Sequence, residues 1–252
     1  MDTRLAPTTS PATTARPEAE DTVRKPRLRP ADAATLIVID RKGRSPKLLM
    51  GKRHAGLKFM PGKFVFPGGR IEPGDARMSV VGALHARAEQ ALLAHVPRPS
   101  PQRGRALALA AIRETFEETG ILFGSRAYGR PERVPPGSWA AFAEHEVTPD
   151  LEDLQVIARA ITPSKRTKRF DTRFFAIDRR AIGHVTEGVI GPDSELVELA
   201  WVTLRQARAL DLPHITRVIL TDLEERLANG FGPHLPVPFY HHRSGRSVCE
   251  ML

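Results

Sequence analysis

Apolar and β-branched residues recur along this chain in short runs that are typical of β-strands. Five such runs predict strands, at 34–39, 47–52, 63–66, 170–177 and 196–202. Charged residues and a glycine separate the first two runs, so we expect these two strands to pair back on each other.

Four longer segments carry apolar residues at helical spacing and predict helices. They are 76–95, 105–119, 137–160 and 215–228. Ser138 is the expected N-cap of the third helix, and Gly120 is the expected stop of the second. Helices mixed with hairpin signals predict an α/β fold, specifically an α/β/α sandwich around a mixed β-sheet.

The composition predicts one sizeable domain with a tail at each end. The chain has 252 residues, of which 41% are hydrophobic, and we place the domain at 33–230. Residues 1–32 are rich in Ala, Thr, Pro and Arg and predict a disordered tail. Residues 231–252 are taken as a C-terminal tail, with the pair His241 and His242 expected at the surface.

Cysteine usage and hydropathy bear on location. The single cysteine, Cys249, permits no intrachain disulfide and favours a reducing compartment. No apolar run is long enough to span a bilayer, and no secretory signal is recognisable. Acidic residues near the start argue against an organelle transit peptide. We therefore expect a cytoplasmic protein without a membrane partner.

The formal charge of +9 and the pI near 10.3 raise the question of nucleic-acid binding. Aromatic residues are only 6% of the chain and form no recognisable stacking platform, so we consider nucleic acid an unlikely partner. A polyanionic small molecule accounts for the charge equally well. The basic cluster at 165–169 is the best local candidate for phosphate contact, with a solvated basic loop as the alternative.

The segment 113–121 carries the most informative chemistry. Glu114, Glu117 and Glu118 are three and four residues apart, so their carboxylates project from one helical face. Like charges at this spacing weaken an isolated helix, which favours a positive partner. Oxygen-only ligation points to Mg²⁺ or Mn²⁺, and a solvated acidic face is the alternative interpretation.

Upstream, the segment 66–75 predicts a strand that enters a loop with two adjacent glycines and ends in acidic residues. Adjacent glycines let the backbone approach a ligand or metal closely. Together with the glutamate helix, this loop resembles the Nudix box, which reads Gly, five residues, Glu, seven residues, Arg-Glu-U-x-Glu-Glu-x-Gly-U, with U apolar. Asp75 stands where the box has Glu, and Thr115 stands where it has an apolar residue.

The spacing departs from the box more strongly. Residues 76–112 lie where the family has seven residues, so we infer a helical insertion at 76–104 that loops out and returns. A split box of this kind resembles a Nudix subgroup related to a peroxisomal coenzyme A diphosphatase. Residues 49–69 also follow a coenzyme A recognition motif, in which Arg53 matches and Lys58 replaces an arginine.

The resemblance implies an α/β/α Nudix fold and metal-dependent hydrolysis of a diphosphate bond. The implied substrate is a nucleoside diphosphate linked to another moiety, with coenzyme A or an acyl-coenzyme A as one candidate. Glu114 and Glu195 are the implied catalytic residues. Family members often place a metal ligand or general base on a loop before a Trp-containing strand. Asp193, Glu195 and Glu198 precede Trp201 here, and we prefer Glu195, with a plain surface glutamate as the alternative.

The remaining site residues also follow from the resemblance. Arg113 is expected to orient a carboxylate. The implied metal ligands for Mg²⁺ or Mn²⁺ are Glu114, Glu117, Glu118 and the carbonyl of Gly68, and the implied substrate-binding residues are Arg53, Lys58, Gly69 and Arg70. Two other functional hypotheses stay open: a catalytically silent Nudix-fold module that binds a ligand or regulates, and a nucleic-acid-associated nucleotide hydrolase. Assembly as a homodimer also stays open.

Overall fold

The structure is a computed structural model that describes residues 28–164 and 166–252. The predicted disordered tail therefore lies outside the described residues up to position 27, and so does Lys165 of the basic cluster. The helices of the described part include none that is long and apolar enough to cross a membrane.

The described residues form eleven strands and five helices. The strands are β1 (Ala31–Asp40), β2 (Lys47–Arg53), β3 (Phe64–Val65), β4 (Gly68–Arg70), β5 (Ile121–Phe123), β6 (Gln155–Ile161), β7 (Phe170–Asp178), β8 (Ile182–Val185), β9 (Leu196–Thr203), β10 (Pro238–Arg243) and β11 (Arg246–Met251). The helices are α1 (Ala86–Leu93), α2 (Pro101–Thr119), α3 (Trp139–Glu144), α4 (Leu204–Ala209) and α5 (His214–Ala228), with 3₁₀ turns at Asp75–Arg77 and Arg179–Ala181.

Nine of these strands form one mixed sheet with helices on both faces. Its main order is β11-β10-β6-β7-β1-β2-β3, with β4 paired to β1 and β9 paired to β2. Along β1, Leu36 and Val38 face a core shared with α2, whereas Ile37 and Ile39 face a core shared with α5. The layers are therefore helix, sheet and helix, which confirms the predicted α/β/α sandwich.

The predicted helix at 137–160 is wrong over most of its length. Helix α3 ends at Glu144, and Glu146 then takes a φ of 54°. The rest of the segment includes β6, which lies between β7 and β10 with residues 156–160 buried. A strand covered on both faces reads as a continuous apolar run, so its local pattern resembles that of a buried helix.

The predicted helix at 76–95 is also only partly correct. A 3₁₀ turn and irregular chain come first, and α1 is limited to Ala86–Leu93. Helix α2 begins earlier than predicted, with Pro101 in its first turn and the Ser100 hydroxyl accepting a hydrogen bond from the Arg103 amide. It ends where predicted, at Gly120, which has a φ of 75°.

The segment 231–252, which the sequence left without a structural assignment, contains a hairpin that extends the main sheet. Strands β10 and β11 pair antiparallel, and β10 pairs parallel with β6. His241 contacts Glu250 across this hairpin, with Nε2 and Oε1 3.1 Å apart.

A buried ionic network closes one end of the sheet beneath the link between α1 and α2. Asp171 accepts two hydrogen bonds from the Arg159 guanidinium, at 2.8 and 2.7 Å. Arg173 bridges Asp171 and Asp32, with 3.0 Å to each carboxylate, and Asp32 also pairs with Arg103 at 2.6 Å. Both Arg159 and Arg173 are buried, and Asp171 is the counter-charge that they share. Its negative charge offsets the cost of removing the two guanidinium groups from water.

We predict that Asp171→Ala lowers the free energy of unfolding by about 3–5 kcal/mol, because it leaves two buried guanidinium groups without a shared carboxylate. The matched control is Asp211→Ala, which breaks an exposed 2.7 Å pair with Lys63 and is expected to cost less than about 1 kcal/mol. Urea unfolding of both variants checks this. Equal losses in the two variants would show that the network does not stabilise the fold.

Candidate active site

The two halves of the split box meet through one buried ion pair. The Arg113 side chain on α2 is 2% exposed, and Asp75, in the 3₁₀ turn after the glycine loop, is fully buried. Arg113 Nε donates to Asp75 Oδ1 at 2.8 Å, and Arg113 Nη2 donates to the carbonyl of Arg70 at 2.8 Å. The chain between the halves therefore loops out while the halves themselves are in contact.

Both carboxylate oxygens of Asp75 accept hydrogen bonds from other parts of the protein. Besides Arg113, its carboxylate accepts hydrogen bonds from the Glu72 amide at 2.7 Å and the Trp139 indole at 3.2 Å. Burial alone would lower the pKa of Arg113, but the bond and charge of Asp75, with the charges of Glu114 and Glu117, raise it. The aspartate that replaces the glutamate of the box thus fixes the arginine.

The three glutamates lie on one side of α2 and have different partners. Glu114 and Glu117 both accept from Arg113 Nη1, at 3.1 and 3.0 Å. The second carboxylate oxygen of Glu117 accepts from the Ser138 hydroxyl at 2.5 Å. Glu118 accepts from the Gly68 amide at 3.1 Å. The helix and the glycine loop are therefore joined directly at the carboxylates.

Both glycines are required by close packing. A Cβ at Gly69 would lie 2.4 Å from the Glu114 carboxylate, and a Cβ at Gly68 would lie 2.4 Å from the carbonyl oxygen of Ala34. These glycines belong to β4, which pairs with β1 and is therefore held in register against the sheet. Any side chain at these positions would displace the loop or the glutamate.

Burial and mutual repulsion perturb two of the carboxyl groups. Burial raises the pKa of Glu118 to about 8, with the charges of Glu195 and Glu114 adding to the effect. Burial likewise raises the pKa of Glu114 to about 7, although the Arg113 charge opposes it. Burial is therefore the main cause of both raised pKa values, and repulsion from neighbouring carboxylates adds to it.

Glu195 joins this cluster from the loop before β9. Its carboxylate accepts from Arg53 Nη1 at 2.8 Å, and Arg53 Nε in turn donates to the Phe59 carbonyl at 3.1 Å. Glu198 instead lies 3.9 Å from Lys52, although the side chains of Glu195 and Glu198 are both about half exposed. Of these two acids before Trp201, Glu195 is therefore the one whose charge acts on Glu114 and Glu118.

The other predicted substrate-binding residues are less closely tied to the carboxylates. The side chains of Lys58 and Arg70 are exposed. Arg70 lines an open cavity of about 560 Å³ that reaches Glu114 and also includes Glu72 and Arg103 in its wall. Such a volume is within the range of small-molecule sites.

Among the described residues, no three acidic, histidine or cysteine side chains converge closely enough to form a ready-made metal cage. Glu114 and Glu117 are turned toward Arg113, which accounts for this spread. The donor set nevertheless fits a hard divalent cation, because it consists of carboxylate oxygens, each with a further lone pair, in a region of surplus negative charge.

Two departures from the sequence expectation concern hydroxyl groups. Thr115, in place of an apolar residue, is buried with its hydroxyl donating to the Ala111 carbonyl at 2.7 Å, so its polar atom is satisfied within the helix. Ser138 lies at the N-cap position of α3, as predicted, but its side chain makes no capping hydrogen bond. Its bond to Glu117 spans 21 positions and has no local sequence signal.

Comparisons with known proteins agree with this geometry. No family model matches the chain. It is 25% identical over 232 residues to nudix hydrolase 7 of Caenorhabditis elegans, covering 82% of this chain and 67% of that protein. The crystal structure of a NUDIX hydrolase from Alicyclobacillus acidocaldarius is 27% identical and superposes with a TM-score of 0.55, covering 77% of this chain and 90% of that one. The fold, the site geometry and these two similarities together support the Nudix hydrolase family for this chain.

Proposed function

We propose that this protein hydrolyses a diphosphate bond in a nucleoside diphosphate linked to another moiety, with Mg²⁺ or Mn²⁺ as cofactor. The observation that carries the proposal is the row of Glu114, Glu117 and Glu118 on α2. Glu118 bonds the Gly68 amide, Glu114 packs against Gly69, and the charge of Glu195 acts on both from a separate loop. A diphosphate resists attack by water because its oxygens are negatively charged. An acidic site needs a cation to admit such a substrate.

The proposed cation ligands are the three glutamates of α2, with the Gly68 carbonyl as a further donor. Bound there, a divalent cation supplies Lewis-acid stabilisation of the phosphoryl oxygens and lowers the pKa of water. The protein's own contribution is to fix the carboxylates: Arg113 orients Glu114 and Glu117, and the Gly68 amide orients Glu118.

Glu195 is the proposed general base, with Glu114 as the second catalytic carboxylate. A base must be correctly aimed when the water attacks phosphorus. Arg53 orients the Glu195 carboxylate, since its Nη1 donates to Glu195 while its Nε donates to the Phe59 carbonyl. The proton of the attacking water passes to the Glu195 carboxylate.

Coenzyme A or an acyl-coenzyme A is the proposed candidate among such substrates. Arg53 and Lys58 belong to the recognition motif that precedes the paired glycines. Arg70 lines the cavity beside Glu114, and Gly69 packs against the Glu114 carboxylate. Guanidinium forks suit phosphate oxygens, and the cavity offers room for the moiety beyond the diphosphate.

The reaction is tested by offering coenzyme A, ADP-ribose, NADH, diadenosine polyphosphates and nucleotide sugars with Mg²⁺ or Mn²⁺, and scoring released monophosphate. We expect turnover of at least one compound and a loss of about 100-fold or more in kcat/KM for Glu118→Gln, since a bound metal contributes several kcal/mol. Glu89→Gln, an exposed glutamate on α1, is the control and should retain activity. Tight binding of one compound without any turnover would instead establish a silent binding module.

The role of Glu195 is tested by comparing two glutamates of one loop and strand. Glu195→Gln is expected to lower kcat by about 100-fold or more through loss of the base. Glu198→Gln, whose carboxylate is half exposed beside Lys52, should leave kcat within about 2-fold. Arg53→Lys should lower kcat more than it raises KM. A pure rise in KM in that variant would show that Arg53 acts through substrate binding alone and does not position Glu195.

The crowded carboxylates also predict an unusual pH dependence of stability. An unfolded glutamate has a pKa of about 4.3, whereas the pKa of Glu118 in the folded protein is about 8. Between these values the folded state holds a proton that the unfolded state releases, so stability falls as pH rises from about 4.3 to 8. Urea unfolding with a chelator should show this decline in wild type and a weaker one in Glu118→Gln. Added Mg²⁺ should flatten the wild-type curve of stability against pH. Identical curves for wild type and Glu118→Gln without metal would show that Glu118 is not the group responsible for the decline.

A further inference from the structure

The Ser138 hydroxyl does not form the hydrogen bond that is expected of a serine at the start of a helix. It stands at the start of α3 with helical backbone angles, φ −58° and ψ −23°, and its side chain caps no amide of that helix. A serine at a helix start ordinarily accepts a hydrogen bond from an amide of the first turn, because that bond stabilises the helix. Ser138 instead donates to Glu117 Oε1 at 2.5 Å.

The neighbouring residue fixes Ser138 in place. Trp139 is 1% exposed and packs against Phe142, with ring centroids 4.9 Å apart. Its indole N–H donates to Asp75 at 3.2 Å. Consecutive residues of α3 therefore contact one carboxylate from each half of the split box, so the hydroxyl is aimed at Glu117 by a rigid, buried support.

The hydrogen bonds of Glu117 orient its carboxylate without exhausting it. One oxygen accepts from Ser138 and the other from Arg113. Each carboxylate oxygen has a second lone pair, so both oxygens can still face a cation. An O–H···O⁻ bond of this length is among the stronger hydrogen bonds in proteins.

We propose that Ser138 is a positioning residue for the divalent cation, acting through Glu117. The proposal rests on the proposed function, since it needs the glutamates of α2 to bind a metal. Residues that orient metal ligands typically affect affinity by 10- to 100-fold. Because Arg113 also holds Glu117, we place the effect of losing the Ser138 hydroxyl at the low end of that range, about 10-fold.

The test is isothermal titration calorimetry of Mn²⁺ into the full-length protein. Ser138→Ala should bind Mn²⁺ about 10-fold more weakly, and Ser138→Thr, which keeps a hydroxyl, should bind within about 3-fold of wild type. Ser138→Cys keeps the size but has only a weak donor, so it should follow the alanine variant. Ser125→Ala, in the same connection between β5 and α3, is the matched control and should bind as wild type.

Activity provides a second readout. The concentration of Mn²⁺ needed for half-maximal rate should rise in Ser138→Ala, while kcat at saturating Mn²⁺ should stay near the wild-type value. Wild-type affinity in both Ser138→Ala and Ser138→Cys, or equal weakening in Ser138→Thr, overturns the role of Ser138 and leaves the proposed function standing. A wild-type protein that binds no Mn²⁺ overturns both.

Discussion

A guanidinium group that is only 2% exposed must find its counter-charge inside the protein, and Arg113 finds it in Asp75, 38 positions earlier in the chain. Removing one partner from such a buried pair is far more costly than removing a surface charge. The pair therefore fixes how α2 is rotated about its axis. Since Glu114 and Glu117 share the same guanidinium, that rotation also decides where their carboxylates point.

The same arrangement sets the charge balance of the site. Arg113 is shared among three carboxylates, and Arg53 is committed to Glu195, so Glu118 has a single amide donor from the glycine loop. Burial without a full counter-charge raises the pKa of Glu118. A fold that concentrates carboxylates in this way is suited to a divalent cation, because added positive charge there relieves both desolvation and repulsion.

The sequence pattern predicted a helix or strand correctly where neighbouring residues in the chain determine that element. The β-branched run of β1, the phenylalanine-rich run of β7 and the end of α2 at Gly120 were all predictable from neighbouring residues. The segment 137–160 was not, because its second half is a strand only by virtue of pairing with β7 and β10. The spacing of the motif likewise predicted that the three glutamates share one helix. It did not predict that Asp75 anchors Arg113.

Contacts between distant residues explain both what the motif missed and why the box tolerates its long interruption. A seven-residue spacer would hold the two halves together by its length, whereas here side chains do so. The returning chain is itself held to the sheet, through Arg103 to Asp32 at its end and through Arg159 to the Ala94 carbonyl before it. The halves of the site are thus kept in register by charge and hydrogen bonding, while residues between them, such as Met78, Leu84 and Leu92, are buried in the core and hold the returning chain against the sheet.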